Sequence, residues 1–89
     1  MLGAGRLASV LWKTGDELSG WRYRFNVYRM TASNGEVCQL LRPADVRDLV
    51  KLSQVLAAVL AEDGCVSVKQ RRELADLAAK LAAINHTRA

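Results

Sequence analysis

Three hydrophobic patterns follow one another along this chain of 89 residues. From Trp21 to Met30 apolar and polar positions alternate: Trp21, Tyr23, Phe25 and Val27 share one parity, and Arg22, Arg24 and Asn26 the other. A period of two places these sets on opposite faces of a strand. Aromatic and β-branched side chains suit a pleated, half-buried surface. The pattern therefore predicts a strand over 21–30, apolar face inward. Asn34-Gly35 follows, a pair that tolerates the positive φ of a tight hairpin turn. Val37 to Arg42 returns as the second strand, over 37–42.

The second pattern is helical. Leu49, Val50, Leu52, Val55, Leu56, Val59 and Leu60 wrap around much of the girth of a helix over 43–63. Pro43 suits its first position, and Asp45 and Asp48 complement its positive end. Gly64 is read as its left-handed C-terminal cap. Ser67 with Gln70 three residues on is a capping-box pattern. It opens a helix over 68–84 whose stripe of Leu74, Leu77, Ala78, Leu81 and Ile84 is narrow and one-sided.

Ahead of these elements, residues 1–6 with Gly3 and Gly5 read as a loose start, and Thr14 to Gly20 as a loop. Leu7 to Lys13 is a short strand or a turn of helix, and seven residues do not decide between them. The fold class is α+β, with one domain over 1–89. An antiparallel β-hairpin, with or without a third strand from Leu7 to Trp12, packs on an antiparallel pair of α-helices.

Composition narrows the functional classes. A hydrophobic fraction of 51% is enough for a core and argues against a disordered chain. Thirteen basic residues against nine acidic ones leave +4, which permits acidic partners without demanding them. Six basic and four acidic residues precede Val46, and seven and five follow, so there is no basic tail. The longest uncharged run, Leu52 to Ala61, is ten residues, about half of a membrane span. No stretch reads as a leader. Two cysteines in that context suggest reduced thiols and a cytoplasmic location, with no membrane association.

Candidate chemistry is sparse. Cys38, Cys65 and His86 match no metal-ligand spacing, and a structural zinc site wants four ligands. A catalytic cysteine would need a base, and the one histidine stands four residues from the end. No enzyme activity, cofactor or metal is expected. Lys69-Gln70-Arg71-Arg72 is followed by Glu73 and Asp76 and reads as a solvated helix face. From Leu18 to Ala44 there are four arginines, Arg22, Arg24, Arg29 and Arg42, against the single acid Glu36. Arginines interleaved with aromatics on a sheet are what a nucleic-acid platform uses, although a wet strand face also needs something soluble.

Apolar surplus on the first helix and unpaired strand edges point to self-association. The reading that follows is a small non-enzymatic interaction or assembly module. It is expected to act as a homodimer with a protein partner, with Leu52, Val55 and Val59 at the dimer interface. The alternative is a nucleic-acid-binding module using Arg22, Arg24, Arg29 and Arg42 on the outer face of the hairpin.

Overall fold

The largest feature the backbone builds is a ribbon running from Leu7 to Met30. The computed structural model describes residues 2–30 and 37–87. Its strands are Leu2–Ala4 (β1), Leu7–Ser9 (β2), Leu11–Asp16 (β3), Gly20–Phe25 (β4), Tyr28–Met30 (β5) and Val37–Cys38 (β6). A 3₁₀ turn, Pro43–Asp45, leads into helix α1, Val46–Glu62, and α2 spans Val68–Thr87. The architecture is α+β, a mostly antiparallel sheet with two helices packed together. One sheet has the order β1-β2-β5-β6, and β3-β4 form a second, two-stranded one.

The two sheets are one ribbon with a single opening. Leu7 lies opposite Arg29, Leu11 opposite Phe25 and Asp16 opposite Gly20, so the register is unbroken across the opening. At the opening the Asn26 N–H donates to the Val10 carbonyl at 3.3 Å. The Val10 N–H donates to Asn26 Oδ1 at 2.9 Å, so a side-chain carbonyl stands in for the main-chain one. The inner parity keeps Leu7, Leu11, Lys13, Trp21, Tyr23, Phe25, Val27 and Arg29 on one face.

The strands run further toward their turn than a glycine-bounded loop suggests. Thr14, Gly15 and Asp16 are paired, and the turn is Glu17-Leu18-Ser19. Gly15 permits this at φ +106°, where a Cβ would strike the Gly20 carbonyl. Asp16 Oδ1 closes the turn by accepting the N–H groups of Leu18 at 2.9 Å and Ser19 at 2.7 Å. The start of the chain is likewise not loose: Leu2–Ala4 pairs with Leu7–Ser9. The expected strand over 37–42 shrinks to Val37–Cys38, beyond which the chain bends toward Pro43. The Asn34-Gly35 turn lies outside the described residues.

The helices open and close by side-chain capture. Arg42 is extended at φ −105° and ψ 161°, as a residue before proline prefers, so the first turn is 3₁₀ rather than α. The Asp45 carboxylate accepts the Arg42 N–H at 2.7 Å. At the other end of α1, Gly64 does not take positive φ. Asp63 Oδ1 accepts the Cys65 N–H at 2.9 Å instead, an Asx turn that needs no left-handed residue. Ser67 Oγ accepts the Gln70 N–H at 3.2 Å and caps α2. Asn85 donates to Gln54 Oε1 at 2.7 Å and ties the far end of α2 to α1.

The core is small. Leu7, Leu52 and Leu56 form it, with Leu2, Ala4, Val27 and Leu49 packed against them. Residues β3 and β4 contribute nothing to that cluster: Phe25, expected in the core, is 52% exposed. The molecule measures 44 × 32 × 15 Å. Its radius of gyration is 14.5 Å, where a compact chain of this length has about 12 Å.

Leu52→Ala should cost about 2–5 kcal/mol, as core truncations do. Phe25→Ala should cost about 1 kcal/mol, because half of the ring is already wet. Urea midpoints at unchanged slope measure both. Equal losses would place Phe25 in the core after all.

Candidate functional site

β3 and β4 form an arm about 20 Å long, six residues at strand rise. Its inner face and the helices do not close on each other. Between them lies a groove of about 550 Å³, lined on the arm by Trp21 and Tyr23 and on the helices by Leu60, Val66, Leu74 and Leu77. The groove continues into a smaller apolar hollow against Phe25, Val27, Leu56 and Ala57. Alternation in the sequence placed the three aromatics on this face, and the fold leaves them partly uncovered.

A single polar contact bridges arm and helices. Lys13 Nζ reaches Asp63 Oδ1 at 3.1 Å, with about a third of the lysine side chain and a quarter of the aspartate exposed. The ammonium lies 4.5 Å from the centroid of the Trp21 ring and 5.9 Å from that of Tyr23, within cation–π range. The Lys13 pKa is raised, first by the Cys65 sulfur and then by the Asp63 carboxylate. Asp63 is held below the usual carboxylate range, chiefly by the Cys65 N–H, with Lys13 adding to it. Tyr23 is pushed up by burial of its hydroxyl and then by the Asp63 charge, and that oxygen has no partner in hydrogen-bonding geometry. The cluster fixes the arm at the α1–α2 loop.

The four arginines do not form one patch. Arg22 and Arg24 are exposed on the outer face of the arm. Arg29 has the opposite parity, lies across from Leu7, and approaches the buried Asp45 with its Nε at 3.6 Å. Only 14% of its side chain is exposed, so it is committed to the fold. Arg42 is exposed just before the 3₁₀ turn, off the arm altogether. The expected dimer contacts divide as well. Leu52 is sealed in the core at 0% exposure, Val55 is half-buried, and Val59 is 38% exposed on α1.

Cys38 is half-buried and Cys65 exposed, both as free thiols. His86 is exposed in the last turn of α2. Among the described residues no three of His, Cys, Asp and Glu come close enough to hold a metal ion. No described helix is long and apolar enough to cross a membrane.

Sequence reasoning missed Lys13, Trp12 and Asp63. All three depend on the pairing of Leu11–Asp16 with Gly20–Phe25, which turns Lys13 toward Tyr23 and Trp12 toward Arg24. Parity would have found them once Leu7 to Lys13 was read as a strand. Compared with protein-family models, curated proteins and solved structures, the chain matches none.

Arg29→Ala should cost about 1–3 kcal/mol, the range for stranding a buried polar partner. Arg24→Ala should stay within about 0.5 kcal/mol, as surface changes do. Chemical denaturation separates the two, and a neutral Arg29→Ala would free that side chain for another role.

The acid response has a definite sign. Asp63 and Asp16 both have lowered pKa values, Asp16 mainly through the Ser19 N–H. Their stabilisation is therefore complete above the ordinary carboxylate pKa of about 3.9 and is lost as pH falls through the lower folded values. Melting temperature followed from pH 6 downward should fall less steeply in Asp63→Ala than in the parent. Parallel curves would show that Asp63 has the same pKa folded and unfolded.

Proposed function

We propose that this chain is a small, non-enzymatic assembly module that works as a homodimer and presents its surface to a protein partner. The observation that carries this reading is area. The folded chain exposes 6535 Å², whereas a compact monomer of its mass exposes about 5,200 Å². The surplus of roughly 1,300 Å² exceeds the ~800 Å² each partner gives to a standard stable interface.

The surplus has a location. The groove between arm and helices is apolar, and Leu77, one of its linings, is 45% exposed. Leu18 stands 99% exposed at the tip of the arm. A groove and a protruding tip on one chain suit a two-fold pairing, because each copy then offers both. Val59 adds an exposed β-branched side chain on α1. A slab 15 Å thick leaves one layer of helices over one sheet, and a second copy supplies the missing cover.

Sedimentation equilibrium at micromolar concentration should give about twice the 9.8 kDa chain mass. Melting temperature should climb with protein concentration, as mass action requires of an associating species. Leu77→Glu should yield a monomer that keeps its helical circular dichroism. A single 9.8 kDa species with concentration-independent melting would overturn the reading.

A further inference from the structure

The outer face of the arm gathers residues that the sequence scatters. Trp12 lies directly across the ribbon from Arg24, and Thr14 directly across from Arg22. Directly opposed side chains share a face, so the indole and both guanidinium groups stand together. Trp12 is 48% exposed, and with Thr14, Arg22, Arg24 and Phe25 it borders a shallow, open hollow. Neither Arg22 nor Arg24 makes an ion pair among the described residues.

Nothing acidic competes for these arginines along the strand. Between Leu18 and Gly35 the chain has no acid. The arm's own acids are at its tip: Asp16 is occupied by the N–H groups and hydroxyl of its turn, and Glu17 lies in the turn itself. The face is thus a positive strip with one large aromatic plane set into it.

We infer that this face binds single-stranded nucleic acid, with Arg22 and Arg24 on successive phosphates and Trp12 stacked on a base. Residues two apart on one strand are separated by about 6.6–6.8 Å, a spacing that suits neighbouring phosphates of an extended strand. Guanidinium forks match phosphate oxygens, and base-on-aromatic stacking tolerates any sequence. An acidic protein segment would satisfy the arginines and leave the indole without a role. A duplex keeps its base faces inside its own stack and offers Trp12 no plane. The surface lies on the opposite side of the arm from the groove used by the proposed dimer, so either reading can fail without the other.

The test is fluorescence anisotropy of the full chain with labelled oligothymidylate, and with the same strand annealed to oligodeoxyadenylate. The single strand should bind more tightly than the duplex. Trp12→Ala should weaken single-strand binding about tenfold or more and leave the salt dependence unchanged. Arg22→Glu with Arg24→Glu should abolish binding. The milder R22Q/R24Q pair should make the slope of log affinity against log salt shallower by about two units, one per lost phosphate contact. Circular dichroism and melting check that each variant is folded, and the glutamine pair stands in if the charge reversal is not. Absence of binding at low salt, a preference for the duplex, or indifference to Trp12→Ala would each overturn the inference.

Discussion

Leu52 lies between Leu7 and Leu56 with no exposed surface, and the placement of everything else follows from that contact. It sets β2 against the middle of α1. Because Leu7 begins a ribbon of unbroken register, its position fixes which parity looks at the helices along the whole length to Asp16 and Gly20. The core is near one end of the ribbon, and the other end runs out beyond it as the arm. A chain this short buries only about two-thirds of its unfolded surface. It has spent that burial at β1, β2, β5 and α1, and little is left to cover β3 and β4.

The arm is held by chemistry other than packing. Asn26 keeps the ribbon in register where it opens, by lending its side-chain carbonyl to Val10. Lys13 then spans the gap to Asp63, which is also the residue that terminates α1. One carboxylate thereby closes a helix and anchors a strand. The contact is partly exposed, and salt will screen it more than it screens a buried pair. The arm can therefore be held at an angle without being pulled flat onto the helices, and the groove stays open.

Much of this was legible in the residues. The alternation from Trp21 to Val27 gave the faces correctly, Pro43 marked the approach to α1, and Ser67 marked the start of α2. Alternation says which way a side chain points and not whether anything arrives to cover it. Hence Phe25 was assigned to the right face and the wrong depth. Arg29 shows the same rule from the other side: its parity is that of Phe25 and Val27, and it is indeed turned inward to Asp45. The hairpin of Leu11–Asp16 with Gly20–Phe25 was hidden by Gly15 and Gly20, which look like loop residues. At φ +106° and +92° they are what lets the strands continue to a tight turn. Gly64 misled in the opposite sense, since Asp63 caps the helix through its own side chain and makes a left-handed glycine unnecessary. Of the candidate site, the arginine pair was visible and its tryptophan was not, because cross-strand neighbours are defined by register and not by sequence distance.

The two faces of the arm differ in what they ask of a partner. The inner face offers aromatic and aliphatic area with one ammonium, Lys13, already neutralised by Asp63. Binding there gains from removing water, and a second copy of the chain brings the same kind of surface. The outer face offers unpaired guanidinium groups around one exposed indole, and gains from meeting fixed negative charge and a flat ring. Charge on the outer face also keeps that side wet, which prevents the ribbon from stacking through both faces and growing into an open assembly. In the proposed dimer the inner faces are consumed and the outer faces are not. The pairing then doubles the arginine–tryptophan strip, and two linked weak sites on one strand bind more tightly than either alone, by the effective concentration of the second. Self-association through the groove is in this way the condition under which a strip as short as Trp12, Arg22 and Arg24 becomes a useful surface.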